Sequence, residues 1–294
     1  MKNSYENEVG YLELLKDTLN TGTEIVGRNG KVLSRFGVMI TFDNISEAFP
    51  LLTTKKMFSK GIIEELLWFL RGSTDANELK EKGVGIWNGN SSREYLDSMG
   101  LTHYKEGEIG PGYGHQWRCF NGTYPQKENG FDQLKYVIKE IMSNSRRAVL
   151  SAWNPCQLSE MALPPCHLLY NFYRDTNGLS CMLYMRSNDV FLGQPFNIAS
   201  VALFTTIIAK VLHLKPYKIC ISVCDLHIYE EHISAIKTQI ERTPNKLPKL
   251  EINSKPPDYN SSLDEKINWI EKIRYEDIII SDYECYGALK APMK

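Results

Sequence analysis

The polar and apolar positions of the chain change rhythm several times. Apolar residues at helical spacing in YLELLKDTLNTG predict a helix that stops at Gly22. A turn at Arg28-Asn29-Gly30 then leads into KVLSRFGVMITF, which reads as extended. KGIIEELLWFLRGST is a strongly apolar helix ended by Gly72, with Glu64 and Glu65 in its interior. The run IIEELLWFL leaves little room for a solvated face, so we expect one carboxylate to turn inward, where it must be paired or working; a solvated position for both is the ordinary alternative.

After Ser145 the pattern becomes extended. RRAVLSAWNP is rich in strand formers, and HLLYNFYRDTNGLSCMLYMRSND reads as two strands divided by the turn DTNG. IASVALFTTIIAKVLHL is a nearly all-apolar helix broken only by Lys210, and YKICISVCDLHIYEEHI is a strand leading into a helix. The last forty residues look Pro- and charge-rich, with short extended pieces. Long helices and strands without regular alternation predict an α+β fold, a mixed β-sheet packed with helices. With no repeat and no long Gly/Ser/Pro linker, residues 1–294 read as a single domain.

Composition narrows the function classes. A chain of 294 residues, 43% apolar and 23% charged, can bury a large core, and its formal charge of -1 gives no broad attraction to nucleic acid or membrane. Any anion recognition must be local. The seven cysteines (Cys119, Cys156, Cys166, Cys181, Cys220, Cys224, Cys285) include no C-x-x-C pair and no metal-ligand spacing with histidine, so reduced thiols, no metal and a cytoplasmic location are expected. The start MKNSYENEVG lacks the charged-then-apolar order of a signal peptide, and no uncharged apolar stretch reaches about 18 residues.

One cysteine stands apart. In MALPPCHLLYNFY, Cys166 follows two prolines and precedes His167. Unpaired cysteine is ordinarily a small core filler. Counting back from a turn near Thr176, however, sets Cys166 opposite Arg186, and strands about 4.8 Å apart would let that guanidinium approach the thiol and lower its pKa. The diproline removes two backbone donors and halts the strand, as at a cleft rim. Arg28, Arg146, Arg147 and Arg186, each a surface residue when taken singly, would form a phosphate site if they converged.

These residues, with RRAVLSAWNP, RSNDVFLGQPFNIAS, DLHIYEEH, FPLLTTKK…EELLWFLRGST and GPGYGHQWR in the same order, resemble the thymidylate synthase family over residues from about 28 to 250. The resemblance implies reductive methylation of dUMP to dTMP by 5,10-methylenetetrahydrofolate. In this chemistry a thiolate from Cys166 adds to uracil C6 and makes C5 a nucleophile, dividing one difficult step into easier ones. It assigns acid–base help to Glu65 and Tyr113, hydrogen bonding to His167, and reading of the uracil O4 and N3–H edge to Asn197, an amide that offers donor and acceptor together. N-capping of the following helix is the structural alternative for Asn197.

The same resemblance gives the 5′-phosphate to Arg28, Arg186 and Ser187, with Arg146 and Arg147 reaching across from the second subunit of a homodimer that uses a sheet face as its interface. His227 and Tyr229 would hold the 3′-hydroxyl, and Asp189 would orient the pterin. Ile86, Trp87, Asn90, Leu192, Gly193 and Phe196 would line the folate pocket, although for Trp87 and Phe196 core packing is equally natural. No membrane and no obligate nucleic-acid partner are implied.

Departures from the family pattern are a shortened Arg28 loop, Asn88 for aspartate, Met185 for glutamine, Gln194 for an apolar residue, Val223-Cys224 for a small pair, and the tail YGALKAPMK. Alternatives are a folate-dependent pyrimidine nucleotide hydroxymethylase, a catalytically idle nucleotide- or RNA-binding relative, and a Cys-His hydrolase.

Overall fold

The computed structural model describes residues 2–27 and 30–293. Among these residues the strands are β1 (Ser4–Glu6), β2 (Thr23–Gly27), β3 (Gly30–Phe42), β4 (Val149–Ser151), β5 (His167–Asp175), β6 (Gly178–Asp189), β7 (Pro216–Tyr229), β8 (Lys249–Ile252) and β9 (Ile278–Ser281). The helices are α1 (Asn7–Thr21), α2 (Ser59–Leu70), α3 (Asn77–Glu81), α4 (Arg93–Ser98), α5 (Tyr113–Arg118), α6 (Gln133–Met142), α7 (Gly193–Val211), α8 (Ile233–Gln239) and α9 (Leu263–Lys272). Seven strands form a mixed sheet in the order β1-β3-β7-β6-β5-β4, with β2 also paired to β3; β8 and β9 form a separate ribbon. The mixed sheet packed with helices agrees with the sequence reading.

Alternation along the strands sorts side chains onto two faces. Ile40, Phe172, Leu183 and Ile221 are buried on one of them. Helix α7, apolar all round, packs there against β6 and β7. Its Phe204 meets Tyr170 and Phe172 edge-on at 5.5 and 5.3 Å and stacks on Trp117 of α5 at 4.9 Å. Replacing Phe204 by alanine would open a cavity there, at about 3–5 kcal/mol. On the other face Leu169, Tyr173, Met182 and Tyr184 are exposed.

Helix α1 stops at Gly22 as expected, there in extended backbone (φ -64°, ψ 138°), whereas Gly72 follows α2 in the left-handed region (φ +69°). Space is the reason for glycine at position 22, since a Cβ there would lie 2.6 Å from the Thr18 carbonyl oxygen. The tail region is not merely short extended pieces, because α9 lies within it. Ser262 and Glu265 form a capping box at its start, and Ile267 and Ile270 bury its apolar face. The strand expected from Arg146 shrinks to β4, and the helix expected from Ile198 begins five residues earlier, at Gly193.

The hairpin matters most for chemistry. Its turn residues are Thr176 and Asn177, so from Asp175/Gly178 to Leu169/Tyr184 the register runs one residue away from the simple count. A bulge between His167 and Leu169 restores that count, and the Arg186 amide donates to the Cys166 carbonyl oxygen at 3.0 Å. Because β5 is antiparallel and β7 parallel to β6, the start of β5 and the ends of β6 and β7 lie along one edge.

Candidate active site

Cys166 sits at that edge, half-buried, where Arg186 holds its loop in place. The guanidinium donates from Nε to the Pro165 carbonyl at 2.7 Å and from Nη2 to the Pro164 carbonyl at 2.9 Å, and Nη2 lies 3.5 Å from the Cys166 Sγ. The diproline therefore supplies two acceptors to the residue that flanks the thiol. The expected acidification is not seen, because burial raises the Cys166 pKa and Arg186, the smaller influence, only opposes it. Much of the guanidinium's hydrogen bonding is directed at the two carbonyls.

The other arginines do not reinforce it within one chain. Arg146 and Arg147 are exposed and precede β4, whose Val149 pairs with Asn171. Arg147 is thus roughly level with Tyr173, on the order of 20 Å along β5 from Cys166. Arg28 lies outside the described residues.

Helix α2 delivers both of its carboxylates away from bulk solvent, where only one was expected. Glu64 is 5% exposed and pairs with Lys82 at 2.6 Å. Glu65 keeps partial solvent contact, but its Oε1 accepts from Trp87 Nε1 at 2.8 Å, and burial pushes its carboxyl up to about 7. Trp87 is itself 7% exposed and packs 6.0 Å from Trp68, so it is both a core residue and the donor to Glu65.

Tyr113 opens α5 and links this wall to the cysteine. Its ring stacks on Phe69 at 4.9 Å and meets Trp87 at 5.7 Å, while its hydroxyl accepts from the Cys166 amide at 2.9 Å. Burial, then the nearness of Cys166, push its pKa well above the ordinary value, so it stays a neutral hydroxyl. His167 packs 4.4 Å from Tyr113, and its Nδ1 bonds the Tyr170 hydroxyl at 2.8 Å. Burial depresses its pKa to about 3. A neutral imidazole with Nδ1 engaged is a hydrogen-bonding residue, and among the described residues no hydrogen bond joins it to the thiol.

The other half of the edge is built by β3, β6 and β7. Asp225 gathers Ser34 Oγ at 2.6 Å, Ser187 Oγ at 3.3 Å and His227 Nδ1 at 3.5 Å; the His227 bond leads the influences that hold its carboxyl below the usual range. His227 and Tyr229 share a face, their rings 5.0 Å apart. Asp189 Oδ1 accepts from the Phe191 amide at 2.9 Å and lies 3.4 Å from His232 Nδ1. The other ring nitrogen of His232 donates to the Pro292 carbonyl at 2.8 Å, bringing the tail to this edge. Burial alone would lower the His232 pKa, but the two oxygens raise it.

Asn197 lies on α7 beyond its first turn, so it is no N-cap; its Oδ1 is 3.3 Å from Asn188 Nδ2. Gly193 opens the same helix. Ile86, Leu192 and Phe196 are half-buried and packed against the core. Asn90 is half-buried too, and no hydrogen bond among the described residues ties it to the thiol.

The sequence reading does not single out Asp225, Ser34, Lys55 or Tyr170, which bond to residues of this region. The first two meet only because Ser34 of β3 pairs with His227 of β7, which no local pattern announces. Lys55, in the TTKK run, is 4% exposed, bonds the Phe191 carbonyl, and is lowered to about 7 by burial. A lysine inside an apolar block was the available signal.

Comparisons with known proteins place the chain in a family. The family profile described as thymidylate synthase matches residues 9–294. The thymidylate synthase of Candida albicans is 45% identical over 97% of this chain and 97% of its own length. The bifunctional dihydrofolate reductase-thymidylate synthase of Zea mays is 47% identical over 86% of this chain, and the chain spans about half of that relative (50%). The thymidylate synthase of human herpesvirus 8 is 47% identical over 83% of this chain and 75% of its own length. With a profile match running through nearly the whole sequence and a relative aligned from end to end, the chain belongs to the thymidylate synthase family.

Proposed function

We propose that this protein converts dUMP to dTMP, taking both the one-carbon unit and the hydride from 5,10-methylenetetrahydrofolate. The observation that carries the reading is the Cys166 thiol beside Arg186 at 3.5 Å, on an edge that also holds a carboxyl near 7 and a neutral buried tyrosine. Cys166 adds to uracil C6 as its proton leaves, and Arg186 favours the sulfur's anionic form. Glu65, able to hold or release a proton near neutrality, serves the proton transfers at the ring with Tyr113. His167 contributes hydrogen bonding, and Asn197 reads the base edge.

Arg186 and Ser187 bind the 5′-phosphate, together with Arg28 and with Arg146 and Arg147 of a second subunit; His227 and Tyr229 hold the 3′-hydroxyl. Asp189 orients the pterin between Ile86, Trp87, Asn90, Leu192, Gly193 and Phe196. A homodimer is supported by the exposed apolar sheet face at Leu169, Tyr173, Met182 and Tyr184, and by the distance that keeps Arg147 from its own Cys166. Residues 1–294 act as one domain in this reading, and the seven unpaired thiols accord with a cytoplasmic location.

The test is incubation of the purified protein with dUMP and methylenetetrahydrofolate. Equal amounts of dTMP and dihydrofolate are expected, as is a denaturation-stable adduct with fluorinated deoxyuridylate. Hydroxymethyl product with tetrahydrofolate, or no adduct, would overturn the proposal.

A further inference from the structure

An amide turned by half a revolution exchanges donor for acceptor, so Asn197 can distinguish bases only if something fixes its setting. Three neighbours are placed to do so. Asn188, 4% exposed at the end of β6, directs its Nδ2 to Asn197 Oδ1 at 3.3 Å, to Gln194 Oε1 at 2.6 Å and to Met185 Sδ at 2.9 Å. Gln194, in the first turn of α7, has no exposure at all. Polar groups so deeply buried are expensive unless they are bonded.

The cluster has two self-consistent amide settings. Turning all three amides over preserves both amide contacts and leaves as many atoms unpaired as now, where Asn188 Oδ1 and Gln194 Nε2 lack partners. Only the sulfur separates the two. A thioether accepts and never donates, so it favours the NH2 edge of Asn188 and would oppose a carbonyl oxygen at that distance. Asn188 then shares two hydrogens among three acceptors, and Gln194 and Asn197 must both present oxygen to it. The Asn197 NH2 group is left for a ligand, while its Oδ1 retains a second lone pair.

We infer that Met185, Asn188 and Gln194 are positioning residues that set the Asn197 amide to donate toward a 4-oxo group, and so reject the 4-amino group of a cytosine nucleotide. This inference rests on the deoxyuridylate reading of the cleft. Met185 and Gln194 are two of the positions at which the sequence departs from its family pattern, and they meet through Asn188.

Equilibrium binding of dUMP and dCMP to wild-type protein, Asn188→Leu and Gln194→Met tests the inference, with thermal unfolding as the check on folding. Wild type should favour dUMP. In the variants the dUMP-to-dCMP affinity ratio should fall roughly fivefold, the size of one hydrogen bond's preference, with dCMP binding improving while dUMP binding weakens. A purely structural role would weaken both nucleotides alike. If Asn188→Leu does not fold, the ratio for Gln194→Met decides. An unchanged ratio in a folded variant overturns the inference alone, whereas wild type that binds neither nucleotide overturns the functional reading beneath it as well.

Discussion

The two halves of the edge around Cys166 and Asp225 differ in their electrostatics. Around Cys166, burial dominates: it raises the thiol, lifts Glu65 to about 7 and depresses His167 to about 3, so ionisable groups there are held largely neutral. Around Asp225, whose side chain is 49% exposed, hydrogen bonds dominate and the carboxyl is lowered. The same residue types therefore serve different ends. In the proposed reaction a dry half would keep protons available for transfer, and a wetter half would keep a fixed charge and polar groups for recognition.

The largest contrast is expected from Cys166→Ala. Turnover and covalent trapping should vanish while nucleotide affinity persists, since the recognition groups remain; rapid-quench assays beside equilibrium binding would show it. Turnover in this variant would end the division of labour.

Glu65→Gln should lower kcat by about 10²–10⁴-fold with little change in nucleotide affinity. It also carries a stability signature. The folded pKa of about 7 lies above the ordinary 4.5, so between these values the native state holds the proton more tightly than the unfolded chain. Its contribution is complete below 4.5 and is lost as pH rises through 7. The neutral amide should therefore make the protein more stable than wild type at about pH 8, by up to about 3 kcal/mol, with little gain near pH 4.5. Urea denaturation at both pH values checks the sign.

Arg186→Lys keeps the charge but not the fork that reaches Pro164 and Pro165 together. We expect about 2 kcal/mol of destabilisation and slower alkylation of Cys166, measured by denaturation and by iodoacetamide kinetics. Asp225→Asn, on the wetter side, should raise KM for the nucleotide by roughly fivefold and leave kcat nearly intact. A large kcat loss there would show that the halves are not separable.

How much was legible beforehand follows the same line. The Cys166–Arg186 pairing came from a hairpin count, because antiparallel register is local; even so, it survived only because the bulge beside Leu168 offset a turn placed one residue away. The α2 carboxylates were flagged by an apolar run, but the Glu64–Lys82 pair required the segment after α3 to fold back. Asp225 joins Ser34 across 191 residues, and no period or motif spans that distance. Helix α9 was within reach, since S-x-x-E is a capping signature, yet the surrounding prolines and charges hid it.

The two prolines before Cys166 leave that segment few backbone conformations, and Arg186 anchors both of their carbonyls to the neighbouring strand. If Cys166 is the nucleophile, as proposed, it is thereby immobilised when the chain folds rather than when a nucleotide arrives. Little ordering entropy then remains to be lost at encounter, and binding free energy stays available for bringing the ring carbon into line with the sulfur.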